Sequence, residues 1–148
     1  CPLPRYNEGV TRGQFSFLLL LASTSARAGA SADGLQELHG TLTQVKGQPP
    51  ALALKDGSTV RLAADEPTTS VLNDPRLNGF PLEVSGHYSA GVFRVEPMHK
   101  RGLFVEKDGK KLYVTYWCDV CAIRTYTPGK CVCCQQETAL DPREKLDN

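Results

Sequence analysis

The 148-residue chain lacks a surplus of charge of either sign: 17 Lys and Arg stand against 16 Asp and Glu, a formal net of +1. Nothing in that balance draws the protein to nucleic acid or an acidic surface. It also lacks a membrane-spanning run. The apolar stretch at residues 15–22 (FSFLLLLA) falls far short of the roughly 20 residues a spanning helix needs. There is no G-x-S-x-G, no phosphate-binding glycine loop and no H-E-x-x-H. The three histidines, His39, His87 and His99, share no metal-ligand spacing, and isolated histidines are mostly surface residues. No catalytic constellation is legible, which weighs against an enzyme. The only methionine is Met98, so the chain does not open with one.

What is present begins with a targeting signature at residues 1–32. Arg12 gives a positive flank and residues 15–22 a short apolar core. Three overlapping Ala-x-Ala patterns follow, ending at Ala28, Ala30 and Ala32. These parts describe a secretory signal peptide; the rival is a buried strand or helix. Val10, from an alternative start codon, would open a compact signal, with residues 1–9 upstream of it. A lipid on Cys1 is a competing reading that would leave an export-like segment inside the mature chain. Cleavage after Ala32 removes Arg5, Arg12, Arg27 and Glu8 and moves the net charge to −1. The expected product is an exported, periplasmic or secreted chain without a membrane span.

Residues 33–98 read as a β domain. Strands are predicted over 38–45, 51–55, 58–63, 81–88 and 92–96. Asp56-Gly57 marks a hairpin. A three-residue loop, Lys55-Asp56-Gly57 with Gly57 left-handed, puts Leu52, Leu54, Val60 and Leu62 on one face, whereas a two-residue loop would split them. Asp65 is placed to cap a short helix over 67–72, with Glu66 and Pro67 in its first turn; that role explains Asp65-Glu66 better than acid/base chemistry. Asp74-Pro75 stops the helix. Ser89-Ala90-Gly91 is turn chemistry. Tyr88 and Phe93 read as core residues rather than a stacking platform. The order of three strands, a helix and two strands resembles the OB-fold, a five-stranded barrel, over residues 36–97. The resemblance implies a ligand- or partner-binding barrel. Without basic groove or aromatic platform, nucleic acid is not the expected ligand.

Residues 99–136 form a second unit. A hairpin is predicted from Leu103 to Trp117 around the charged tip at residues 107–111, its rising strand running directly into Cys118. Five cysteines follow: Cys118, Cys121, Cys131, Cys133 and Cys134. Taking Cys134 as the fourth member gives C-x2-C-x9-C-x2-C. Two such turns can aim four thiolates at one tetrahedral ion, and Thr127-Pro128-Gly129 can reverse the chain between them. The fifth cysteine, Cys133, could replace Cys131 or Cys134 as ligand, stay free or do redox work; because the inner residues of each turn project away, it is expected to point away from the ion as a spare thiol. Arg124 and Lys130 are placed to offset thiolate charge. The pattern resembles zinc-ribbon and rubredoxin-like knuckles over residues 113–136. It departs from them at Ala122 and Gln135, where such knuckles often carry glycine. The resemblance implies zinc, with iron or Cu(I) as rival occupants. Two disulfides plus one free thiol is the other reading of the same cysteines.

Residues 137–148 read as a polar tail. The expected protein is therefore mostly β: a small five-stranded OB-like barrel with one short helix, plus a C-terminal hairpin carrying a cysteine double knuckle. Its expected role is an exported, non-catalytic binding module for a protein or small ligand, with a metal that supplies folding energy. Tyr113, Tyr116, Trp117 and Tyr126 are expected to pack around the knuckles. The alternative role is thiol-based metal handling or redox work at the C-x-C-C end.

Overall fold

A computed structural model describes residues 34–146; the targeting segment read at residues 1–32 lies outside them. Five strands form a closed barrel: β1 (Gln36–Thr43), β2 (Ala51–Leu54), β3 (Thr59–Ala63), β4 (Pro81–Ser89) and β5 (Val92–Val95). The antiparallel pairs β1–β2, β2–β3, β4–β5 and β1–β4 and the parallel pair β3–β5 close the ring. The OB-like order expected for residues 36–97 is thus the observed one.

Local chemistry explains the joints. Leu52 faces Val60 across the β2–β3 hairpin. Its loop is residues 55–57, with Gly57 at φ 84° and the Leu54 amide donating to the Ser58 carbonyl at 2.8 Å. Leu52 and Leu62 are consequently buried together in the core. The helix α1 (Glu66–Leu72) starts at Asp65, whose carboxylate accepts from the Thr68 amide at 3.2 Å. It contributes Val71 and Leu72 to the barrel core. Gln44 satisfies the helix end, its side-chain amide donating to the carbonyls of Leu72 and Asp74 at 2.7 and 2.8 Å. Asp74 then caps a short 3-10 turn, Pro75–Leu77. Phe93 is core as expected, but Tyr88, its direct partner on the same face of the β4–β5 ladder, is 40% exposed and packs edge-on against it.

Gly86 is the closure point. It pairs with Gln36 on one side and Val95 on the other. A Cβ there would lie 2.0 Å from the Arg94 carbonyl oxygen. Beyond it β4 changes neighbours. Its second half pairs with β5, and its first half pairs with β6 (Leu103–Lys107). The switch is bridged by the Glu96 amide donating to the Ser85 carbonyl and the Ser85 amide donating to the Gly102 carbonyl, at 2.8 and 2.9 Å. Through β6 and β7 (Lys110–Tyr113) the barrel sheet extends to seven strands. Asp108 and Gly109, both left-handed, make the tight turn between them.

The strand expected to run unbroken into Cys118 divides. After Tyr113 the chain leaves β6, and β8 (Tyr116–Cys118) joins a separate three-stranded sheet with β9 (Ile123–Thr125) and β10 (Ala139–Leu140). The cause lies in the segment read as a polar tail. Ala139 and Leu140 face Trp117 and Tyr116, and Arg143 faces Tyr113 in the same antiparallel register. The Thr115 hydroxyl and carbonyl both bond the Asp141 backbone between them. Tyr113 therefore keeps Phe104 of β6 on one side and takes Arg143 on the other, and residues 115–117 run against the C-terminal segment instead of β6. Val114 and Tyr116 still enter the barrel's hydrophobic cluster, so both sheets share one core. Among the described residues no helix is long and apolar enough to cross a membrane.

Candidate metal centre

The two C-x2-C turns fold alike. In the first, Cys118 pairs with Ile123 in the β8–β9 ladder. In the second, the Cys131 amide donates to the Gln136 carbonyl at 2.8 Å, closing a turn of the same length. The residue after the second cysteine is left-handed in both: Ala122 at φ 53° and Gln135 at φ 61°. These are the two positions where glycine was missed in the sequence. The backbone adopts the conformation glycine favours, at the steric cost a Cβ carries there. Gly129, at φ 124°, lies in the reversal between the turns.

This repetition brings the four cysteines together. Single sulfurs of Cys118, Cys121, Cys131 and Cys134 all lie within 4.8 Å of one another. Cys118 and Cys134 approach to 3.4 Å, longer than the roughly 2.05 Å of a disulfide. Four thiolates about 2.3 Å from one tetrahedral ion would be about 3.8 Å apart, so the cluster has the size of such a cage. All five cysteines in this region carry free thiols. Cys118 and Cys131 are buried and Cys121 and Cys134 half-buried. Cys133 is exposed, as are Val120 and Val132; the inner knuckle residues point outward as expected.

Backbone amides supply the local electrostatics. Those of Cys134 and Cys133 are directed at the Cys131 sulfur and hold its thiol down to about 7, against the opposing effect of burial. The amides of Cys121 and Val120 act on Cys118 in the same way, but burial and the Cys134 and Cys131 sulfurs push that thiol up on balance. Cys121 is pushed up chiefly by the neighbouring Cys133 and Cys134 sulfurs. Without an ion, four crowded thiols resist losing all their protons; a divalent ion removes that resistance.

Arg124 does not serve the thiols as expected. Its guanidinium pairs with Asp141 at 2.9 Å, donates to the Thr115 hydroxyl at 2.8 Å and lies 5.1 Å over the Trp117 ring. It fastens β8 and β9 to the C-terminal segment. Of the aromatic residues expected to pack around the knuckles, Tyr116 is fully buried, Tyr113 and Trp117 are half-buried and Tyr126 is 51% exposed. Burial, with the Asp74 carboxylate near its hydroxyl, pushes the Tyr116 phenol far up.

Between the barrel and the knuckles lies a cavity of about 470 Å³, lined by Met98, His99, Leu103, Tyr113, Val114 and Tyr126 among others. Nothing in the sequence marked it, because its walls come from five separated stretches. His87 stands 3.9 Å from Glu96 at the surface. His39 is brought against Glu83 and Glu106, a grouping invisible at sequence separations this large. No protein-family model matches the chain, and no curated protein or solved structure matches it either.

Proposed function

We propose that the protein is an exported, non-catalytic binding module whose C-terminal knuckles hold one structural zinc ion on Cys118, Cys121, Cys131 and Cys134. The observation that carries this reading is the equivalence of the two knuckles. Both close over the same number of residues, both have a left-handed residue after the second cysteine, and both aim two amides at the first sulfur. A hard oxygen-seeking ion is unsuited to four thiolates, whereas zinc takes them tetrahedrally. The three strands of the knuckle sheet are two or three residues long, too little structure to persist alone, so metal binding and local folding are one event. Export rests on the apolar run and Ala-x-Ala series of residues 1–32. The cavity beside Tyr113 and Met98 has the size of a small-molecule site and is the candidate ligand position.

A second reading, metal handling, is favoured by one observation: Cys133 is exposed, and its sulfur is close enough to Cys121 to raise that thiol. Chelation separates the two. A structural ion leaves with loss of the near-ultraviolet dichroism of Trp117 and Tyr116. A cargo ion exchanges with that signal intact, and alkylation of Cys133 blocks the exchange.

A further inference from the structure

Glu83 sits in the middle of β4, between the core residues Leu82 and Val84, and its side chain points to the opposite face of the sheet. Such an outward position is ordinarily solvated, yet the Glu83 side chain is only 1% exposed. Lys111 approaches one carboxylate oxygen, Oε1, at 2.6 Å. The other, Oε2, is buried and has no hydrogen-bond partner among the described residues. An unpaired buried carboxylate oxygen is costly, so its surroundings matter. His39 faces Glu83 directly across the β1–β4 ladder, and its Nδ1 is 3.7 Å from Oε2. Glu106 lies on β6 two residues beyond Phe104, the direct partner of Glu83, and so shares its face. Its Oε1 is 2.8 Å from the same Nδ1.

We infer that His39, Glu83 and Glu106 form a second metal site, for a borderline divalent ion of the zinc class. One imidazole nitrogen and two carboxylate oxygens, all within 4.8 Å of one another, are the donor set such ions accept. Ligands about 2.05 Å from a tetrahedral ion stand about 3.3 Å apart, and the observed 2.8 and 3.7 Å separations bracket that value. The ion replaces the proton between His39 and Glu106 and gives Glu83 Oε2 the partner it lacks. Lys111 on Oε1 then orients the ligating carboxylate, as outer partners of metal ligands do. The three ligands come from three adjacent strands of one sheet, so the barrel itself fixes their spacing. They border a surface groove of about 340 Å³ that also includes Asp108 and Lys110. A fourth coordination position would open there to water or a small anion, unlike the closed thiolate cage.

The test uses the full chain with its cysteine site filled by one equivalent of zinc. Added Co²⁺ is expected to bind as one further equivalent, giving d–d absorption without a thiolate charge-transfer band. His39→Ala and Glu106→Gln, both at partly exposed side chains, are each expected to weaken that binding by about tenfold or more, with circular dichroism unchanged. Glu144→Gln, which removes an exposed carboxylate paired with Lys110, leaves it intact. No second equivalent, uptake showing only the thiolate band, or a second equivalent indifferent to both His39→Ala and Glu106→Gln would overturn the inference. The thiolate band reports the cysteine site separately, so failure here leaves the zinc-knuckle proposal untouched.

Discussion

Arg76 donates a 2.6 Å hydrogen bond to the Thr138 carbonyl while its other nitrogens grip the Asp74 carboxylate at 2.9 to 3.1 Å. The guanidinium also lies 5.0 Å over the Tyr116 ring. One side chain thus joins the barrel's helical connection to the segment that closes the second knuckle. Replacing Arg76 with alanine is expected to leave the Asp74 carboxylate, which is 2% exposed, without its cationic partner though still bonded to the residue 76 backbone amide, and to destabilise the fold by roughly 3 kcal/mol. Arg76→Lys should recover only part, because an ammonium cannot reproduce the paired contact. Urea unfolding of the metal-loaded protein measures both.

Acid stability follows from the same pair and its counterpart at the knuckles. Burial pushes Asp74 up, but the Arg76 side chain and amide outweigh it and leave the carboxyl below its ordinary value. Asp141 is likewise lowered by Arg143 and Arg124 against burial. Each carboxyl binds its proton more weakly folded than unfolded. The stability they give is therefore present above the unfolded value near pH 4 and is lost as pH falls through the lower folded values. Asp74→Asn should be less stable than the parent at pH 6, and the two unfolding midpoints should converge as the pH drops toward 3. Parallel curves would show that Asp74 carries no such linkage.

Ala122 and Gln135 pay a left-handed backbone cost that glycine avoids. Ala122→Gly and Gln135→Gly are each expected to stabilise the loaded protein by about 0.5–1 kcal/mol after the added flexibility of the unfolded chain is discounted. Ala122→Val should do the reverse. Thermal unfolding with the metal site saturated gives the sign.

Gly86→Ala would force a Cβ against the Arg94 carbonyl at the barrel seam. A loss of about 2–3 kcal/mol is expected, together with faster amide exchange in β1 and β5, the two strands that meet β4 there. Gly91→Asn, a residue that tolerates the left-handed backbone at φ 77°, in the open β4–β5 turn with nothing within 4 Å, should leave exchange in β1 unchanged.

What the sequence made legible was mostly local. Asp56-Gly57 marked a hairpin whose loop length and register the alternation of Leu52, Leu54, Val60 and Leu62 then chose, Asp65 specified a helix start, and the cysteine spacing specified two knuckles, because each depends on residues close to one another in the chain. Contacts chosen by tertiary competition stayed hidden. Residues 112–117 kept an apolar character with no sign that Thr115 would exchange β6 for Asp141. Ala139 and Leu140 are too short a run to announce a strand. Arg124 looked like a neighbour of the thiols and instead serves Asp141 and Trp117. The meeting of His39, Glu83 and Glu106 depends on strand order alone: β1 and β6 flank β4 on opposite edges. Outward parity was visible for Glu83 between Leu82 and Val84, but nothing in the sequence indicated that Lys111 would cover it.

Cobalt titration of the metal-free, reduced protein tests the four-cysteine site most directly. The thiolate-to-cobalt charge-transfer band should saturate at one equivalent, vanish in Cys118→Ser and persist in Cys133→Ser. A band lost in Cys133→Ser but kept in Cys134→Ser would contradict the ligand assignment. A native protein with no metal and only one titratable thiol would show that the cysteines form disulfides instead.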